Sequence, residues 1–303
     1  MKKFLLSILI GCSMTGFAQD DLLNLLDEEP TTEYATATFK GTRVVNFQSS
    51  EIPAKGVMQF MIMHRFGSMN DDYLYNFFGL DNAQIRLGLD YSFTDWLNVG
   101  IGRSSATKTY DGFVKAKILR QSKGAVNMPI SLLYYGSINY NSQRWNDNLP
   151  HDESERLSYV NQLIIARKFN ESISFQLSPT MVHFNYVETS DQPNDLYSLG
   201  MAGRVKVTNR IAITAEYNLG LTDNFYYVEG VKTPYEDALS LGVDIETGGH
   251  VFQFHITNSR GLADPQWMGR TPGSWGNGDI FLGFNISRVF TLKKPKTVEE
   301  PSF

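Results

Sequence analysis

Residues 238–259 read ALSLGVDIETGGHVFQFHITNS. Leu239, Leu241, Val243 and Ile245 alternate with Ser240, Gly242, Asp244 and Glu246. After Gly248-Gly249 the alternation resumes, with Phe252, Phe254 and Ile256 opposite Gln253, His255 and Thr257. A period of two puts successive side chains on opposite faces of a strand. Each strand therefore has one apolar face and one face of charges, amides and small residues. Glycine pairs between two such runs signal a tight hairpin.

Working outward, the same pattern recurs. Ile85, Leu87, Leu89, Tyr91 and Phe93 alternate with Gln84, Arg86, Gly88, Asp90 and Ser92. Ile211, Ile213, Ala215, Tyr217 and Leu219 alternate with Thr214, Glu216, Asn218 and Gly220. Segments of this kind cover 57–66, 84–93, 96–104, 111–120, 128–140, 157–169, 172–186, 196–207, 210–220, 238–247, 250–259 and 279–290. Most are near the roughly 9–11 residues that a tilted strand needs to cross a bilayer. In 172–186 the apolar parity changes near Pro179, which predicts a bulge there because proline cannot donate to a ladder.

The connections alternate between long and short. Long ones cover 67–83, 141–156, 187–195, 221–237 and 260–278, with a shorter member at 105–110. Short ones are Thr94-Asp95, Asn170-Glu171, Thr208-Asn209 and Gly248-Gly249, with 121–127 somewhat longer. Long outer loops and short periplasmic turns are the habit of outer-membrane barrels. The pattern predicts an all-β chain, a single antiparallel transmembrane β-barrel of twelve strands, both ends on the periplasmic side. A soluble β-sandwich would bury its apolar faces against each other and has no reason for so regular an alternation. Aromatics at segment ends, among them Phe66, Phe93, Trp96, Tyr110, Tyr140, Phe169, Tyr186, Tyr197 and Phe290, predict the two girdles of a barrel. The long loops are acidic, with Asp71, Asp72, Asp147 and Asp152 among others. Lys123, Lys168 and Arg210 lie on the opposite side.

Residues 1–18 read as a signal peptide. Lys2 and Lys3 precede a short apolar run, and Gly16-Phe17-Ala18 offers a cleavage site before Gln19. The alternative is lipidation at Cys12, the only cysteine. Cleavage after Ala18 leaves no thiol for disulfides or metal sites. Residues 19–56 are predicted as a short periplasmic N-terminal extension, for which the lumen is one destination left open, with a thirteenth strand at 38–47 as the alternative. Residues 57–290 form the barrel and 291–303 a periplasmic tail. Net charge is −5, and nothing points to nucleic acid. Anticipated partners are outer-membrane lipids, the barrel assembly machinery and an unspecified small solute, for a monomer without cofactors.

By parity, Arg86, Asp90, Lys115, Lys117, Arg204, Lys206, Glu216, Asp244 and Glu246 face inward. Charges of both signs in a lumen are costly unless paired or hydrated. Two arrangements follow: mutual pairing that plugs the lumen, or a narrow wet channel. Twelve strands fall between the filled barrels of eight and the open ones of sixteen or more, and the plugged arrangement is preferred. The five histidines show no metal-ligand spacing, and no phosphate loop or nucleophile elbow is present. HITNSRGLADP (255–265) loosely resembles the active-site region of outer-membrane phospholipase A, with His255, Thr257 and Asn258 at the matching positions. By parity His255 and Thr257 point into the lumen, the wrong side for a lipase nucleophile. The last loop, with Trp267, Trp275 and GRTPGSWGNGD (269–279), is read as packed around glycine turns, with inward folding over a ligand as the alternative.

TFKGTRVVNF (38–47), GVMQFMIMHRFG (56–67), YNFFGLDNAQIRLGLDYSFTDWLNVGIGRS (75–104), TYDGFVKAKILRQ (109–121) and GDIFLGFNISRVF (278–290) resemble a Bacteroidetes-type outer-membrane β-barrel family of unknown function. The resemblance spans nearly the whole chain after the signal. It implies fold and location and carries no catalytic residues. The last strand also resembles the C-terminal assembly signal of barrel proteins. Arg288 stands where that signal is usually apolar, and thirteen residues follow Phe290.

Overall fold

The computed structural model describes residues 31–146 and 149–293. The segment read as a signal peptide, the acidic leucine-bearing stretch at 20–29, Asp147 and the tail from 294 lie outside the described residues. The strands are β1 (Thr32–Tyr34), β2 (Val57–Ser68), β3 (Gln84–Ser92), β4 (Leu97–Ser104), β5 (Thr109–Leu119), β6 (Ser122–Gly124), β7 (Ser131–Asn141) and β8 (Leu157–Lys168). They continue as β9 (Ile173–Phe184), β10 (Asp195–Lys206), β11 (Ile211–Gly220), β12 (Phe225–Val228), β13 (Val231–Pro234), β14 (Ala238–Thr247), β15 (His250–Thr257) and β16 (Phe281–Thr291). A short helix, α1 (Asp264–Gly269), interrupts the last long loop.

Twelve strands close into one antiparallel barrel, each paired with its sequence neighbour and β16 paired back to β2. The small ladders β1–β6 and β12–β13 stand outside the barrel sheet. Closure leaves no unpaired edge, the condition for a sheet in a membrane. The apolar face of each strand is the outer one. Leu87, Leu89, Ile101, Leu163, Ile213, Leu241, Val243 and Phe254 are each at least 39% exposed, a face that only lipid would cover. This excludes the sandwich. Phe93, Trp96 and Phe169 crown the short-turn end, and Tyr110 and Tyr197 the long-loop end, all exposed.

Two sequence expectations need correction. Pro179 carries no bulge: β9 runs from Ile173 to Phe184 with one parity and an unbroken register against β10, Pro179 opposite Leu199. The apolar phase changes because the lumen itself turns apolar towards the long-loop end. Val182 and Phe184 point inward, into a cluster with Leu196, Trp267 and Met268. The irregularities lie instead between Lys117 and Leu119 and between Phe281 and Gly283. Tyr186, assigned above to a girdle, lies beyond the end of β9. Its ring meets Trp145 edge-on at 5.0 Å among the loops.

Candidate functional site: the filled lumen and its vestibule

The segment before β2 does not join the barrel sheet as a thirteenth strand. β1 pairs with β6 at the short-turn end; the chain then enters the lumen, where Arg43 to Ser50 are buried without a break. It forms a tight hairpin, with Val44 N–H donating to Phe47 O (2.9 Å) and Ser49 N–H to Thr42 O (2.9 Å). From the other end the 258–280 connection folds inward. Leu262, Ala263, Asp264, Trp267 and Met268 are buried, and the Trp267 ring meets Phe47 edge-on at 4.6 Å. The last loop thus takes the inward arrangement, and the space beneath it holds the chain's own hairpin.

Polar wall residues hold this plug. The Glu216 carboxylate accepts hydrogen bonds from three consecutive backbone N–H groups at the hairpin apex: Val45 (3.1 Å), Asn46 (2.9 Å) and Phe47 (3.0 Å). It also accepts one from Asn46 Nδ2 (2.7 Å). Successive N–H groups converging on one anion form a nest, which offsets the cost of burying the charge. Lys115 donates to Thr42 O (3.1 Å) and Glu51 O (2.8 Å). Arg204 donates to Ala37 O and Thr38 O. Glu246 pairs with Lys40. Gln176 donates to Gln48 O (2.8 Å), and Asn285 to Val45 O (2.9 Å).

The nine inward charges therefore do not pair with one another. Among the described residues each ion pair they make is with a group outside that set. Arg86 is clamped by Asp111 of the neighbouring wall, Nε to Oδ1 at 2.9 Å. Asp90 accepts from Asn98 (3.2 Å), and Asp244 from Gln253 (3.1 Å). Lys117 and Lys206 are half-buried near the short-turn end. Glu216, Lys115, Arg204 and Glu246 turn to the plug, whose hairpin brings its own unsatisfied groups into the lumen, while Arg86, Asp90 and Asp244 are met by neighbouring wall side chains.

Plug and last long loop meet at a buried cluster. Arg43 Nη1 bonds Asp264 Oδ1 at 2.9 Å, and the Tyr135 hydroxyl and Trp267 Nε1 (3.2 Å) also donate to that carboxylate. Burial alone would raise the Asp264 pKa. The Arg43 guanidinium and the Tyr135 hydroxyl hold it below its usual value. Arg43, Tyr135 and Asp264 were not marked in the sequence. Tyr135 lay within a segment already predicted as strand and has inward parity. Arg43 sits in the segment before β2 and Asp264 in a long connection, where no barrel-strand parity assigns a face.

Above α1 the long loops enclose a vestibule of about 630 Å³, lined in part by Trp145, Tyr186, Asn139, Arg260, Gln266 and Arg270. His255, Thr257 and Asn258 are buried in the lumen wall. Thr257 shares a hydrogen bond with Ser240 (2.9 Å), and Asn258 donates to Asp237 O and Gly273 O. No group of three metal-ligating side chains occurs among the described residues.

Fold and lumen together define a membrane-spanning β-barrel filled by its own chain. The sequence matches the family model described as a membrane-bound β-barrel domain (DUF5777) over residues 39–290, and the chain belongs to that family. The match begins inside the lumenal hairpin, so the plug is part of the family's domain. No curated protein matches the chain. Among solved structures it is similar to the NanC porin, at 9% identity and a TM-score of 0.48 over 77% of this chain and 98% of that one. An outer-membrane channel of Pseudomonas putida F1 gives 14% and 0.45 over 79% and 97%. Outer membrane phospholipase A of Escherichia coli gives 9% and 0.42 over 76% and 89%. At these levels none carries an activity across to this chain.

Proposed function

We propose that the protein is a monomeric, non-enzymatic barrel of the outer membrane that is closed at rest. A small solute enters at the long-loop end, and movement of the 38–50 hairpin opens the way through. The observation that carries this reading is the unbroken burial of Arg43 to Ser50 inside the closed sheet. The hairpin is held by polar contacts, which water can replace when it moves, alongside the apolar packing of Phe39, Val44 and Phe47, and barrels of this class carry their long loops outside. Lipids cover the outer face, and β16 supplies the signal read by the assembly machinery. Against the phospholipase-type alternative, Thr257 and His255 are buried in the lumen wall, away from the lipid face.

Planar-bilayer recording of the refolded full chain tests it. The wild type is expected to be silent or nearly so, and Glu216→Gln, which turns an amide donor towards the three apex N–H groups, is expected to show conductance steps. A wild type with a steady, ungated pore would overturn the reading.

A further inference from the structure

The vestibule lining carries four arginines, Arg144, Arg156, Arg260 and Arg270, against two glutamates, Glu155 and Glu188. Arg260 Nη2 donates to Asn82 Oδ1 at 2.9 Å. Arg270 Nη2 donates to Tyr186 O at 3.2 Å, with its guanidinium 3.8 Å from the centre of the Phe184 ring. Among the described residues neither has a carboxylate within ion-pairing distance, whereas Arg156, on the same cavity, lies 3.3 Å from Glu153. Arg260 and Arg270 flank α1, the floor of the cavity. Both arginines are half-buried, Arg260 held by an amide oxygen and Arg270 by a carbonyl oxygen and a ring; each keeps further donors, and forked pairing with carboxylate or phosphate is the strongest contact open to a guanidinium.

A second observation is independent of charge. Asn139 lines the cavity and is 1% exposed; its Nδ2 donates to Ser137 Oγ (3.1 Å), while its Oδ1 has no partner. A buried carbonyl oxygen without a donor is costly, and a hydroxyl group delivered to it removes that cost. Gln84 and Gln266 add further amides to the lining. A cavity of about 630 Å³ is of the size that takes a small ligand.

We infer that the vestibule binds a hydroxyl-rich oxyanion of sugar size, a sugar acid or sugar phosphate, with Arg260 and Arg270 neutralising its charge and Asn139 accepting from a hydroxyl. This rests on reading the vestibule as the solute entrance and names the class of solute. Because α1 joins Arg270 to Asp264, which bonds Arg43 of the plug, the ligand sits one helix away from the clamp.

The test is calorimetric titration of the refolded full chain with glucuronate, glucose 6-phosphate and glucose. Saturable binding of at least one anion, weakening as salt rises, is expected, with no binding of glucose. The two anions separate carboxylate from phosphate preference. Arg260→Gln and Arg270→Gln are each expected to weaken anion binding about tenfold or more. Lys232→Gln, on the exposed β12–β13 ladder, should leave it unchanged. Heat-modifiable migration on gels confirms that each variant is folded; if Arg270→Gln is not, Arg260→Gln and the salt series decide. Glucose bound as well as the anions, no binding of either anion, or anion binding untouched in the folded variants would overturn the inference. A conducting wild-type barrel would instead overturn the closed-barrel reading, so the two failures are distinguishable.

Discussion

At the scale of single residues, Glu216 bears the most. It is 3% exposed and collects the apex N–H groups of the hairpin. Glu216→Gln removes the charge and presents a donor to donors; the expected loss for the docked hairpin is about 3 kcal/mol, since hydrogen bonds to charged groups are each worth about 1.5–3 kcal/mol. Gly200 is its steric counterpart: a Cβ there would overlap the Phe47 ring, which has no free space to move into. Gly200→Ala is expected to cost about 1–3 kcal/mol through overpacking. Proteolysis of residues 38–50 should quicken while the barrel keeps its heat-modifiable migration. Equal protease resistance in both variants would contradict the docking described here. Asp264 sets the pH response. A carboxyl whose folded pKa is depressed contributes stability above its unfolded value, about 3.9, and loses it as pH falls through the lower folded value. The clamp is therefore expected to hold at pH 5 and loosen only below about 3.9. Asp264→Asn, which leaves Arg43 buried without its partner, is expected to cost about 3–5 kcal/mol at neutral pH. Conductance measured at both pH values, and in this variant, checks each statement.

At the scale of elements, strand parity decides which substitutions the membrane tolerates. Leu241 faces outward and Asp244 inward on the same strand β14. Leu241→Arg puts a charge on the lipid face at a cost of about 2–4 kcal/mol near mid-membrane, so folding into bilayers should fail or slow. Asp244→Asn should insert normally, with Gln253 still in reach. Intrinsic-fluorescence folding yields into vesicles decide it; the reverse outcome would mean the faces are inverted. Strands were legible because a two-residue period has to persist wherever one face meets lipid. The same rule failed at Val182 and Phe184, inward residues that are apolar because α1 packs on them. Arg65, buried with Nη2 donating to Asn46 Oδ1 of the hairpin at 2.9 Å, and Asp111 obey the parity and lay within predicted strands. The hairpin and α1 obey no period: their residues are chosen one by one to fit the lumen wall, and only the wall shows which contacts they make.

At the scale of the whole molecule, the barrel is a tube closed from both ends by its own chain. Long connections on one side and tight turns on the other give it a polarity, which whole-cell labelling can read. A cysteine at Gly230, open to solvent in the 221–237 loop, should react with an impermeant reagent. One at Gly249, in the β14–β15 turn, should react only after lysis. The opposite pattern would reverse the orientation. The central claim, that residues 38–50 occupy the lumen, has a direct test in disulfide trapping. A Cβ at Gly242 on β14 would lie 3.1 Å from Val45 Cγ2, close enough for a bridge. With Cys12 replaced by serine, the Val45→Cys/Gly242→Cys variant should form that disulfide nearly completely during refolding, seen as a mobility shift abolished by reductant. Two free thiols, both open to maleimide in the folded barrel, would contradict the account.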